Sequence, residues 1–183
     1  MPFPVHALPT VQGQPVKMLR YQDRTGDNLL VLTETNVYPL VVDEKFTDPR
    51  TKELYAYRFL FHPDGTTEQV WLVLDYSRDC ELDGLRVEFI VDAVRITDLD
   101  GDQQAEIWLP YVADCTGDPG PERMKIIMYS GGQKYAMRGS TYAWVGGDEY
   151  AGGEYVMDAA LQAGPLVFRR FADRLWQQHK AAR

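Results

Sequence analysis

Two apolar segments on either side of a four-residue turn are the feature that most restricts the fold of this chain. Residues 53–61 are rich in tyrosine and phenylalanine, and residues 69–76 contain a run of large apolar side chains. Between them lies the sequence His-Pro-Asp-Gly, in which Pro63 presets φ and Gly65 takes the left-handed position of a turn. The pattern predicts a β-hairpin and therefore an antiparallel sheet.

Further segments have the composition or the two-residue period of strands, namely residues 17–22, 28–33, 36–42, 86–96, 104–112, 124–128 and 134–138. Residues 23–27 are typical of a hairpin loop between the first two of them. Pro39 and Pro110 indicate a sheet edge or a strand end, because proline donates no hydrogen bond to a neighbouring strand. The apolar positions change face at Ala93 or Val94, which predicts a bulge or bend.

The two ends of the chain differ from this β-rich middle. Residues 1–16 contain four prolines and predict an extended arm without regular structure, followed by a single domain over residues 17–183. Apolar side chains recur with helical spacing near the end of the chain, at Val167, Phe168, Phe171, Leu175 and Trp176. We therefore predict a mainly β (α+β) fold, an antiparallel sheet or sandwich covered by a C-terminal amphipathic helix over about 165–179.

Composition and charge exclude several classes of protein. Hydrophobic residues make up 45% of the 183 residues, which excludes a disordered chain. No apolar run reaches the roughly 18–20 residues of a transmembrane segment. The formal net charge is −8, from 19 Lys and Arg against 27 Asp and Glu, which disfavours a nucleic-acid partner. Cations or a basic protein fit this charge better, and the sequence leaves the oligomeric state open.

An acidic segment between two predicted strands suggests a cation site. Asp98, Asp100 and Asp102 stand two residues apart, and Glu106 follows four residues later. These carboxylates would repel one another in a tight loop without a counter-charge. Oxygen ligands at loop positions 1, 3, 5 and 9, with the backbone carbonyl of Gln104 at position 7, suit Ca²⁺.

The loop is not an EF-hand, because that motif needs glycine at position 6 and glutamate at position 12, where this chain has Gln103 and Leu109. It resembles the strand-loop-strand calcium loops of FG-GAP and integrin-type repeats, with Glu106 in the ninth place. Gln103 replaces the usual glycine, and Gly101 is the nearby residue suited to a left-handed conformation. A solvated acidic hairpin turn without metal is the alternative interpretation.

Cys80 and Cys115 are the two cysteines, and they are either two buried thiols or one disulfide. A disulfide would close a loop of about 36 residues and stabilise the fold by roughly 4 kcal/mol. If residues 86–96 lie between the strands that lead into the two cysteines, those strands are about 9–10 Å apart. The cysteine loops must then lean together at one end of the sheet, with the acidic loop at the other end beside the turn at 62–65.

Residues 96–111, 124–139 and 171–176 together look similar to a small bacterial family whose name refers to surface polysaccharide biosynthesis. The resemblance covers about residues 53–180. It implies export from a Gram-negative cell, so that the protein is periplasmic or on the cell surface after loss of a leader, and that both cysteines meet oxidising conditions. Residues 1–9 have no signal-peptide pattern, and a cytoplasmic location is the alternative.

We therefore expect a non-catalytic, calcium-loop-containing binding or assembly protein of the bacterial cell envelope, linked to surface polysaccharide, with a glycan or a basic envelope protein as partner. Two alternatives remain. One is a glycan-acting enzyme that pairs Glu106 with Asp75 or Asp114. The other is a binder like the periplasmic C-type lysozyme inhibitors, whose short loop is similar to residues 130–135. The sequence has no convergent nucleophile, base and oxyanion pattern that would favour catalysis.

Overall fold

The computed structural model describes residues 9–42 and 45–181, and for 40–42 and 45–49 it describes the backbone only. The first half of the chain forms a sheet of five antiparallel strands. These are β1 (Gln14–Asp23), β2 (Gly26–Glu34), β3 (Tyr38–Val42), β4 (Lys45–Phe61) and β5 (Thr67–Cys80). β1 pairs with β2, and the long β4 pairs with β2, β3 and β5.

The second half of the chain forms a second antiparallel sheet and a separate hairpin. Its strands are β6 (Gly84–Phe89), β7 (Arg95–Thr97), β8 (Glu106–Thr116), β9 (Arg123–Ser130), β10 (Gln133–Ser140), the hairpin pair β11 (Tyr142–Gly146) and β12 (Glu149–Gly152), and β13 (Tyr155–Met157). The sheet has the order β13-β10-β9-β8-β6, and β7 also pairs with β8. Two helices follow, α1 (Ala159–Ala163) and α2 (Leu166–His179).

The two sheets pack face to face around one apolar core. Both contribute alternate, buried side chains to it, including Leu30, Leu32, Leu54, Ala56 and Val73 from the first sheet and Val87, Phe89, Ile107, Leu109 and Ile127 from the second. Each fully buried aliphatic or aromatic side chain contributes about 1.5–3 kcal/mol to folding. The predicted mainly β fold is confirmed, in its sandwich form.

Helix α2 covers the outer face of the second sheet, as predicted. A second apolar core lies between them, formed by Trp108, Met124, Ile126, Met128 and Met137 of the sheet and Phe168, Ala172, Leu175 and Trp176 of the helix. Val167 is exposed, contrary to the predicted stripe, and Ala172 takes a place on the buried face. Pro165 is the N-cap of α2, and the short α1, which the sequence did not suggest, is capped by Asp158.

A disulfide between Cys80 and Cys115 joins the two sheets. Cys80 ends β5 in the first sheet, Cys115 lies in β8 of the second, and their Cα atoms are 5.8 Å apart. The arrangement differs from three strands side by side in one sheet, because β6 pairs with β8 in the second sheet, whereas β5 pairs with β4 in the first. The facing layers bring the cysteines within disulfide reach at the edge of the sandwich.

Pro110 lies in a central strand, whereas the sequence predicted a sheet edge or strand end. Phe89 is opposite Tyr111 and Arg95 is opposite Trp108, so Pro110 faces the break between β6 and β7. A 3-10 helix at Val91–Ala93 fills this break, and the Pro110 carbonyl accepts a hydrogen bond from the backbone N–H of Ile90. The proline is tolerated because no strand pairs with it on that side. The same break produces the predicted change of face near Ala93.

The arm predicted over residues 1–16 falls partly outside the described residues, which begin at Pro9. Gln14–Val16 belong to β1 rather than to an irregular arm. Just before them, Val11 packs on the outer face of the first sheet, and the Gln12 N–H donates to the Tyr57 hydroxyl at 2.9 Å. Within the described ranges, neither helix has the length and apolar character that spanning a membrane would need.

Candidate metal centre

The acidic loop joins β7 to β8 and is closed at its base by pairing of Thr97 with Glu106. Gly101 and Gln103 both have left-handed backbones, with φ of 75° and 66°. Gln103 thus adopts a conformation that favours glycine, at a cost of about 1–2 kcal/mol for a residue with a Cβ. The loop keeps its turn despite the departure from the motif.

Three of the predicted ligands converge. One carboxylate oxygen from each of Asp98, Asp100 and Glu106 lies within 4.8 Å of the others. Asp98 accepts a hydrogen bond from the Gln103 N–H at 3.2 Å, and Asp100 accepts one from the Asp102 N–H at 3.3 Å. These bonds orient the two exposed aspartates toward the inside of the loop.

Asp102, which was also a predicted ligand, and the Gln104 side chain lie outside this group. A carboxylate oxygen of Asp102 is 3.1 Å from the Arg24 guanidinium, and its other oxygen accepts from the Gln104 N–H at 2.7 Å. The Gln104 amide oxygen accepts from Arg24 at 2.9 Å, while its nitrogen donates to the Ser130 hydroxyl at 3.2 Å. An arginine from the other sheet draws these two side chains away.

Of the three residues that converge, Asp98 and Asp100 are exposed and Glu106 is buried. Both of its carboxylate oxygens are 2.9 Å from the backbone N–H of Leu99, and the Thr97 hydroxyl donates to one of them at 2.6 Å. Trp108 holds that hydroxyl through a 2.9 Å hydrogen bond from its indole N–H. Burial raises the pKa of Glu106 above its ordinary value, the neighbouring Asp100 adds to the rise, and the hydrogen bonds oppose it.

The β1–β2 turn of the first sheet holds the acidic loop from the side. The Arg24 N–H donates to the Gln103 carbonyl at 2.7 Å, and the Ala105 N–H donates to Asp23 at 3.2 Å. Residues of this turn line a cleft together with His62 and Pro63. The acidic loop therefore lies at the predicted end of the sheet, beside the turn at 62–65. The sequence predicted a hairpin loop here but gave no sign of its contact with the acidic segment.

A buried arginine fixes this turn. Arg58 is 3% exposed and donates to Asn28 at 3.1 Å and to Thr25 at 2.8 Å, with Asp23 at 3.7 Å. Burial alone would raise the pKa of Asp23, but hydrogen bonds from Thr25 and Ala105 and the charge of Arg58 outweigh it, so the pKa lies below its ordinary value. Arg58 was not among the predicted site residues, although an arginine within the apolar segment of β4 is the sequence signal that could have pointed to this contact.

One of the carboxylate pairs considered for glycan hydrolysis, Glu106 with Asp114, is widely separated. Glu106 and Asp114 are eight residues apart on β8, which is roughly 26 Å at the rise of a strand. Asp114 forms an ion pair with Arg123 at 2.7 Å, and Asp75 forms one with Lys125 at 2.5 Å. Lys125 lies opposite Tyr111 in the pairing of β8 with β9. Glycosidase carboxylates lie at most about 9.5 Å apart. Glu106 therefore does not form such a pair with Asp114.

Residues 130–135, the basis of the lysozyme-inhibitor alternative, comprise the turn between β9 and β10 and the start of β10. Tyr135 is half-buried, with its ring edge-on to Phe168 of α2 at 5.6 Å between centroids. A side chain that packs under the helix is poorly placed to enter a partner. This arrangement does not favour the inhibitor alternative.

No protein-family model matches this chain, and neither a curated protein nor a solved structure shows significant similarity to it. The geometry of the loop is therefore what bears on function.

Proposed function

We propose that this protein is a non-catalytic calcium-binding protein of the bacterial cell envelope that acts in binding or assembly at surface polysaccharide. The observation that carries the calcium part is the 4.8 Å limit on the distances among oxygens of Asp98, Asp100 and Glu106. Two oxygens bound to one Ca²⁺ at about 2.3–2.6 Å are at most about 4.6–5.2 Å apart. The limit of 4.8 Å is compatible with all three oxygens binding one such ion.

Electrostatics supports the same proposal. Three carboxylates this close repel one another, and Glu106 lacks contact with water. A divalent cation between them would remove the repulsion and favour the ionised form of Glu106. Backbone carbonyls of the loop and water would complete a shell of six to eight ligands.

The envelope location is supported by the Cys80–Cys115 disulfide, because disulfides persist in oxidising compartments and are rare in the reducing cytosol. The non-catalytic role is supported by the ion pairs of Asp75 and Asp114 and by the long separation along β8. The link to surface polysaccharide rests on the resemblance of residues 96–111, 124–139 and 171–176.

Isothermal titration with CaCl₂ tests the calcium proposal. We expect one site per chain in the wild type and at least tenfold weaker binding in Asp100→Asn, because the variant loses one charged ligand. Asp148→Asn is the matched control, since Asp148 is an exposed turn aspartate outside the acidic loop. Equal affinity in wild type and Asp100→Asn, or no binding by the wild type at millimolar calcium, would refute the proposal.

A further inference from the structure

The β11–β12 hairpin stands apart from both large sheets and presents aromatic rings to solvent. Tyr142, Trp144 and Tyr150 are 42%, 49% and 59% exposed. Trp144 lies directly opposite Tyr150 in the ladder, and Tyr142 is two residues before Trp144. Side chains at these positions share one face of a hairpin. The face is therefore an exposed aromatic surface, which we call the aromatic hairpin face.

The rings of this face are held in place before any partner binds. Tyr142 and Tyr150 stack with centroids 5.4 Å apart and ring planes 16° from parallel. The Trp144 indole N–H donates to the Gly147 carbonyl at 2.8 Å, which ties the indole to its own turn. The Tyr142 N–H donates to the Lys180 carbonyl at 2.6 Å and anchors the hairpin beyond α2. Ordered rings lose little conformational entropy on binding.

A shallow, open cleft of about 460 Å³ lies beside Trp144. Its lining includes Arg86, Asp118 and Glu122, so charged groups stand next to the indole. Arg86 is paired with Glu122 and with Glu88, the latter at 2.7 Å, and Asp118 is exposed. The cleft offers hydrogen-bond donors and acceptors beside an apolar aromatic surface.

We infer that the aromatic hairpin face and this cleft bind a neutral hexopyranose polysaccharide. The C–H face of a pyranose ring is apolar and slightly positive, and it packs on the negative face of an aromatic ring. The hydroxyl groups at the ring edge match the carboxylates and the guanidinium of the cleft. Exposed acids around the hairpin, at Asp118, Asp148, Glu149 and Glu154, would repel an anionic polymer.

The inference rests on the glycan part of the proposed function but not on calcium. The contacts that build the hairpin involve none of the carboxylates of the acidic loop. Glycan binding in chelator would therefore stand even if calcium binding fails. Calcium binding without glycan binding would leave the calcium proposal intact.

The test is to titrate the full chain, in chelator, with maltohexaose, cellohexaose and laminarihexaose. Calorimetry and tryptophan fluorescence measure the binding. We expect at least one hexasaccharide to bind and to shift the emission of Trp144, the most exposed of the four tryptophans. Trp144→Ala should weaken binding at least tenfold and Trp144→Phe less. Tyr76→Ala, which removes an exposed tyrosine from β5, should bind like the wild type.

Circular dichroism checks the folding of each variant, and Tyr150→Ala replaces Trp144→Ala if the latter unfolds. Absence of binding by the wild type to all three hexasaccharides would overturn the inference. Unchanged affinity in a folded Trp144→Ala would do the same. Concentration-dependent dimers that disappear in Trp144→Ala, without sugar binding, would assign the face to self-association instead.

Discussion

At the residue scale, Glu106 has a carboxyl group that is fully buried. The Leu99 N–H and the Thr97 hydroxyl bond to it, but no basic side chain is among its described hydrogen-bond partners. Its raised pKa means that the folded protein holds a proton more tightly there than the unfolded chain does. This stability contribution is complete below the unfolded pKa, near 4.5, and is lost as pH rises through the folded pKa.

Glu106→Gln should therefore remove the pH-dependent loss of stability that ionisation of the buried Glu106 carboxyl causes. In chelator, we expect the free energy of unfolding of the wild type to fall relative to that of the variant as pH rises above about 4.5. The glutamine keeps one acceptor oxygen for the Leu99 N–H and carries no charge to bury. Urea unfolding of both proteins between pH 4 and pH 8 measures this difference. A difference that is independent of pH would contradict the assigned cause.

Part of this loop could be predicted from single residues. The spacing of Asp98, Asp100 and Glu106 pointed to a cation, and these three side chains do converge. The diversion of Asp102 could not be predicted, because its partner Arg24 is 78 residues away in the sequence. The left-handed backbone of Gln103 was equally hidden, since glutamine gives no sign of it.

At the element scale, the β1–β2 turn determines how the acidic loop is held. Asp23 and Arg24 are neighbours, but they have different environments. Asp23 is buried against Arg58, whereas the Arg24 side chain is half-exposed beside Asp102. Removing one partner of a buried pair leaves an uncompensated charge, and exposed pairs contribute little. The two residues of one turn thus offer a matched comparison.

Asp23→Asn should destabilise the protein by about 3–5 kcal/mol, because Arg58 then remains buried without its countercharge. Arg24→Ala should cost only about 0.2–1 kcal/mol, as expected for an exposed pair. Chemical denaturation at pH 7 compares the two. The difference should shrink as pH falls below the unfolded pKa of aspartate. The stability that comes from the depressed pKa of Asp23 is complete above the unfolded pKa and is lost as pH falls through the folded pKa. Equal destabilisation by both variants would contradict this account.

Turn chemistry made several elements predictable. Gly65 has φ of 88° in the turn after β4, and the hairpins at residues 23–27 and 62–65 formed as expected. Pro110 was misplaced, because the sequence rule for proline does not foresee a partner strand that is itself interrupted. Helix α1 was missed, since five residues are too short for a helical period to show.

At the scale of the whole molecule, the division of strands into two sheets could not be predicted. Alternation specifies which side chains face a core, but it does not specify which strand pairs with which. β5 and β6 are adjacent in sequence, yet they belong to different sheets. The disulfide then links these sheets at the end opposite the acidic loop. The chain-entropy model gives about 4 kcal/mol for a loop of this length.

The acidic loop likewise joins both layers, because it leads into β8 of the second sheet and is held by the β1–β2 turn of the first. Calcium in the loop would therefore stabilise the sandwich as a unit. A ligand at 100 times its dissociation constant adds about 2.7 kcal/mol. For a domain of this size, that corresponds to roughly 5–10 °C in Tm.

The most direct measurement is the thermal melting of the wild-type protein with excess chelator and with millimolar calcium, at the same ionic strength. We predict a rise of several degrees in Tm with calcium for the wild type and a clearly smaller rise, or none, for Asp100→Asn. Identical melting curves of the wild type in chelator and in calcium would contradict the proposal that Asp98, Asp100 and Glu106 hold a calcium ion.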